Sequence, residues 1–145
     1  MLTSLAIATG VALCGFALVW WFCVRIDNYG FLDVVWSLSI AVLAPIYAFL
    51  GNGDPLRRLA FTAVGALWSL RLGLHVLIRV SRLHPREDVR YGSLRDRWRG
   101  PWAFLACFEL QALIAVVFSL PFLFASRNPT PHLGLALFAS SELFL

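Results

Sequence analysis

The stretch from Leu2 to Val24 contains no charged residue. As a helix rising about 1.5 Å per residue, it crosses the roughly 30 Å hydrocarbon core of a bilayer. A helix on a soluble domain would carry a polar face, and this stretch has none. Three more apolar stretches follow, Phe31 to Leu50, Leu59 to Val80 and Pro101 to Ser126. Turn formers separate them. Gly51-Asn52-Gly53-Asp54-Pro55 follows the second, and Pro85 stops the third no later than His84. Pro101 suits the first turn of the fourth, and Pro121 is a point of bending within it. A last apolar run, His132 to Leu145, has 14 residues and is too short to span. The expected fold is an all-α integral membrane protein with four transmembrane helices and a truncated fifth. Residues 1–145 read as one membrane domain, the N-terminal part of a larger multi-helix fold.

Composition excludes the soluble classes. The chain is 60% hydrophobic and 14% charged, where a soluble domain is about half apolar and a quarter charged. Its net charge of +4 comes from twelve basic residues, all of them Arg. In so apolar a chain, arginines beside membrane helices mark loops, and no nucleic-acid partner is expected. Arg25 and the seven arginines from Arg79 to Arg99 fall on one side, against Arg57, Arg58 and Arg127 on the other. The positive-inside bias puts the larger group in the cytoplasm and the N-terminus outside. Cys14, Cys23 and Cys107 each sit inside an apolar stretch, with no CxxC pair and no Cys/His cluster. Neither a metal site nor a disulfide framework is expected.

Ionisable residues within membrane spans are costly and are read first as functional. They are Asp33 in the second stretch, Arg71, His75 and Arg79 in the third, and Glu109 in the fourth, with Gln111 beside it. Arg71 lies eight residues before Arg79 and Glu109 eight after Pro101, so both are roughly 12 Å below the same interface. This predicts a polar cavity opening inward, with Trp36 and Trp68 as lining residues. Trp68, Arg71, His75 and Arg79 share one helical stripe, which suits an anionic group such as a cofactor phosphate. His75 is a candidate proton donor. Simpler readings stand beside these. Arg71 and Glu109 form a structural ion pair, Arg79 snorkels to the interface, and Asp33 is an interface residue. Trp20, Trp21, Trp98 and Trp102 read as an interfacial belt.

The connection His84 to Trp98 interleaves Glu87, Asp88 and Asp96 with arginines. A loop drawn only to lipid headgroups needs basic residues and little more. Arg86 and Arg90 suit bidentate contact with phosphate or carboxylate, and Tyr91 suits stacking or hydrogen bonding. The alternative is a solvated loop facing the lipid.

Three segments carry a resemblance: Asn28-Tyr29-Gly30-Phe31-Leu32-Asp33-Val34-Val35-Trp36, Leu67-Trp68-Ser69-Leu70-Arg71-Leu72 and Arg86-Glu87-Asp88-Val89-Arg90-Tyr91. In order and spacing the chain resembles the bacterial branch of the steroid 5-alpha-reductase-like membrane family. The resemblance implies an NADPH-dependent reductase acting on an activated carbon–carbon double bond in a hydrophobic, lipid or steroid-like substrate. It implies an inner-membrane location. Asp33, Trp36, Arg71, Glu87, Asp88, Arg90 and Tyr91 match the family pattern by position. Expected catalytic residues are then Asp33, Arg71, His75 and Glu109. Expected cofactor residues are Arg86, Glu87, Asp88, Arg90 and Tyr91. Members of that family continue for about a hundred further residues that carry an Arg-His-Pro-Asn-Tyr-type cofactor segment, and this sequence holds none. The chain therefore reads as a fragment that does not bind NADPH alone. A non-catalytic membrane protein, whose polar residues only pack helices, and a small transporter subunit are the rival readings. The oligomeric state stays open.

Overall fold

The computed structural model describes residues 1–86, 88–98 and 100–130. They form helices α1 (Leu2–Ile26), α2 (Phe31–Leu50), α3 (Pro55–Leu83), α4 (Val89–Arg97) and α5 (Pro101–Ala125), with no strand among the described residues. Helices α1, α2, α3 and α5 are long and apolar enough to cross a membrane. The all-α membrane reading holds. The His132 to Leu145 run lies outside the described residues.

Two elements differ from expectation. Helix α3 starts a turn early, at Pro55, because Asp54 caps it: the Arg57 amide donates to the Asp54 carboxylate at 2.8 Å. Helix α4 occupies what reads in sequence as loop. Asp88 is its N-cap, accepting from the Arg90 amide at 3.0 Å. Tyr91, Leu94 and Trp98 recur along one side and pack on the core.

Helix α2 is central. On one side α1 and α5 pack against it and against each other, around Phe16, Leu43, Tyr47, Phe108 and Leu123. Helix α3 packs chiefly on α2 and touches α5 only lightly. The buried stripe of α3 is Gly65, Ser69 and Gly73. Small residues four apart let membrane helices approach closely. A Cβ at Gly73 would run into Leu38, and one at Gly65 into Phe122. Between them the Ser69 hydroxyl enters α2, donating to the Ser37 carbonyl at 2.6 Å and accepting from the Ala41 amide at 3.0 Å. A regular helix pairs those two groups with each other. One turn later Pro45 has no N–H for the Ala41 carbonyl. The hydrogen bonding of α2 is thus altered over two turns, where α3 lies against it.

At the far end, arginines serve as staples. Arg58 donates to the carbonyls of Ala48 and Gly51 at 2.9 and 2.7 Å, covering the C-terminus of α2. Arg127 reaches the Ser4 hydroxyl of α1 at 3.0 Å, and Arg57 the Thr130 carbonyl at 3.2 Å.

Candidate functional site

The end of the bundle that carries the α1–α2 turn and α4 holds a polar cluster. Asp33 lies in the first turn of α2, where the helix dipole favours a carboxylate. One of its oxygens accepts from the Tyr91 hydroxyl at 2.9 Å and the other from the Arg90 guanidinium at 2.8 Å. Arg90 also grips Asp88, through Nε at 3.2 Å and Nη2 at 3.1 Å. Arg79, near the C-terminus of α3, reaches Asp88 at 3.2 Å. Three helices are thereby tied through two carboxylates.

The turn beneath the cluster is fixed by Asn28, which is buried. Its side-chain oxygen accepts from the Gly30 amide at 2.9 Å, and its amide faces His84 Nδ1 at 3.3 Å. Tyr29 stacks on Phe104 with ring centroids 3.8 Å apart, and Arg95 lies over its other face. Arg95 also pairs with Asp27.

Electrostatics follow from this geometry. The Arg90 hydrogen bond, above all, holds the Asp88 carboxyl below the usual carboxylate range, and Arg90 in turn is held more firmly charged. Burial first, then the Asp33 charge, pushes the Tyr91 hydroxyl above the usual phenol range. Tyr91 is therefore a neutral donor at any physiological pH. The Arg90–Asp33 pair has side chains 62% and 30% exposed, so it is worth only about 0.2–1 kcal/mol. The better shielded hydroxyl-to-carboxylate bond is worth about 1.5–3 kcal/mol and is the stronger tie.

The sequence-derived candidates divide into two sets. Asp33, Asp88, Arg90 and Tyr91 come together, and Arg86 lines a small recess beside them with Asn28, Gly30 and Arg79. Glu87 lies outside the described residues. Trp68, Arg71 and His75 do not join the cluster: they lie on the exposed face of α3, opposite its small-residue stripe. Glu109 is half-buried on α5, and among the described residues no ion pair joins it to Arg71. Trp36 packs edge-on against Phe118 of α5, away from Trp68, with its indole N–H buried and without an acceptor among the described residues. Neither the recess beside the cluster nor the apolar groove between α1 and α2 is lined by Trp36, Trp68, Arg71, His75 or Glu109. The residues that sequence reasoning passed over are Asn28, whose signal is an Asn two residues before Gly in a turn, and Ser69, whose signal is its place between Gly65 and Gly73.

NADPH was the expected cofactor. The recess has a volume near 10 Å³, enough for about one water. Arg86 there has no ion pair among the described residues. Asp33 and Asp88 line the recess with Arg79 and Arg86, and a nicotinamide or adenine ring does not fit within it.

These features define a multi-pass membrane protein with a carboxylate–arginine–tyrosine cluster closing one end of its helix bundle. The model of a family described as a protein of unknown function (DUF1295) matches residues 19–145, and the chain belongs to that family. No curated protein and no solved structure matches the chain.

Proposed function

We propose that the chain contributes its helices to a membrane-embedded, NADPH-dependent reductase that saturates an activated carbon–carbon double bond in a lipid or steroid-like substrate. The observation that supports this reading most is the meeting of two distant segments on Asp33. Arg90 and Tyr91 are 57 and 58 residues from it in sequence, yet both bind its carboxylate. The steroid 5-alpha-reductase-like resemblance rests on those same segments. The cofactor would supply the hydride. In this reading Arg86, exposed at the cluster's edge, holds a cofactor phosphate. Burial and the Asp33 carboxylate keep Tyr91 an uncharged hydrogen-bond donor beside the membrane. The outward stripe of Trp68, Arg71 and His75 is, in this reading, a surface for further polypeptide or for the cofactor, since an uncovered Arg within a span is costly.

A non-catalytic reading also has an observation in its favour. The cluster satisfies itself and leaves space for about one water, as a purely structural latch would. NADPH titration of protein expressed from its complete reading frame, in lipid nanodiscs, separates the two. Saturable binding that weakens in Arg86→Gln supports the reductase. Absence of NADPH binding leaves the latch.

A further inference from the structure

Between α1 and α2 lies an apolar groove of about 530 Å³, apart from the polar cluster. Val11, Gly15, Val19 and Phe22 of α1 form one wall, and Phe31 to Leu43 of α2 supply most of the other. Ser39 carries the hydroxyl in the lining, and it is turned back onto the Trp36 carbonyl at 2.7 Å. Nothing polar is therefore offered to an occupant, so the ligand is hydrocarbon.

We infer that this groove holds one acyl chain of a bilayer phospholipid, with the lipid phosphate at Arg25. Three observations select that occupant. The walls belong to two membrane-spanning helices, and the bilayer itself supplies the ligand. Val11 and Phe22 are eleven residues apart on α1, so the groove is roughly 16 Å long, the depth of one leaflet. Charge lies at one end. Arg25 follows Phe22 by one turn, rests over the Trp21 ring at 4.6 Å, and has no carboxylate partner among the described residues. A second helix suits the groove less well. On α1 the groove-lining positions four apart, Val11, Gly15 and Val19, alternate large with small, and the bulky rings of Phe22 and Phe31 meet edge to face in the lining. Close helix packing in membranes uses small residues four apart.

Two glycines of α1 allow a matched test. A Cβ at Gly15 or at Gly10 meets nothing within 4 Å, yet only Gly15 lines the groove. Native mass spectrometry of protein released from bilayers in mild detergent should show one phospholipid per chain on the parent and on Gly10→Phe. In Gly15→Phe, retention should fall about tenfold, or about 1.4 kcal/mol, because the phenyl ring takes the space the chain fills. Arg25→Gln should weaken retention while Gly10→Phe leaves it unchanged. Equal retention in Gly10→Phe and Gly15→Phe, or none on the parent, overturns the inference. So does a dimer of the parent that Gly15→Phe dissociates, since a second copy would then be the occupant.

Discussion

Asp33 concentrates the interactions that hold α4 to the bundle, and its two partners are unequal. The Tyr91 hydroxyl bond is part-buried, whereas the Arg90 contact is exposed. Double-mutant cycles on thermal stability should therefore give a larger coupling for Asp33→Asn with Tyr91→Phe, about 1.5 kcal/mol, than for Asp33→Asn with Arg90→Gln, at most about 1 kcal/mol. The reverse order would mean that the ion pair is the main tie. Asp88 supplies a pH test at the same scale. Its carboxyl is lowered from 3.8, chiefly by the Arg90 hydrogen bond. A depressed carboxylate stabilises the fold above its unfolded pKa, and that contribution is lost as pH falls through the folded value. Melting temperatures of the parent and Asp88→Asn should differ near neutrality and converge only below about pH 3.8. A gap that persists under full protonation would assign the effect of Asp88→Asn to something other than charge.

At the scale of elements, small residues decide how α3 sits. Ser69 and Gly73 face α2 and Gly65 meets Phe122 of α5, while Leu67, Trp68, Arg71 and His75 face away. Gly73→Leu should cost about 1–3 kcal/mol through overpacking against Leu38. Ser69→Ala should cost about 1 kcal/mol, because it removes hydrogen bonds to both Ser37 and Ala41. Helix α4 offers the opposite sign. Gly92 lies inside it with open space around its Cβ position, so Gly92→Ala should stabilise by about 0.5–1 kcal/mol. Thermal melting in one detergent measures all three. A neutral Gly73→Leu would mean that α3 is free to shift on α2.

For the molecule as a whole, the α1–α2 turn and the α4 region share one end of the bundle. Asp27 pairs with Arg95, and Asn28 faces His84. The arginines of these two connections thus lie on one side of the membrane, the condition that the charge asymmetry requires. On the other side, Arg57, Arg58 and Arg127 bind carbonyl or hydroxyl oxygens. The topology predicted from the asymmetry has the N-terminus outside and α4 in the cytoplasm. In sealed vesicles of right-side-out orientation, an impermeant thiol reagent should fail to reach Ser93→Cys in a cysteine-free background until the membrane is opened. Labelling before opening would reverse the topology.

The sequence by itself determined the kind and, among the described residues, the number of the long helices, though not the start of α3, because charge-free runs and Pro/Gly punctuation leave a spanning segment few alternatives. It also singled out Asp33, Asp88, Arg90 and Tyr91 by residue type and position. Helix α4 reads in sequence as loop: its signals, the Asp88 cap and the Tyr91, Leu94 and Trp98 spacing, are weak in nine polar-rich residues beside the apolar runs. Only the tertiary structure decided which face of α3 turns inward. Depth along a helix follows from counting residues, and that placed Arg71 and Glu109 level with each other. Azimuth does not follow from counting. It was set by packing, where Ser69 and Gly73 lie close against α2 and Gly65 makes room for Phe122 of α5. Trp68, Arg71 and His75, on the opposite face of the same helix, are carried outward as a consequence.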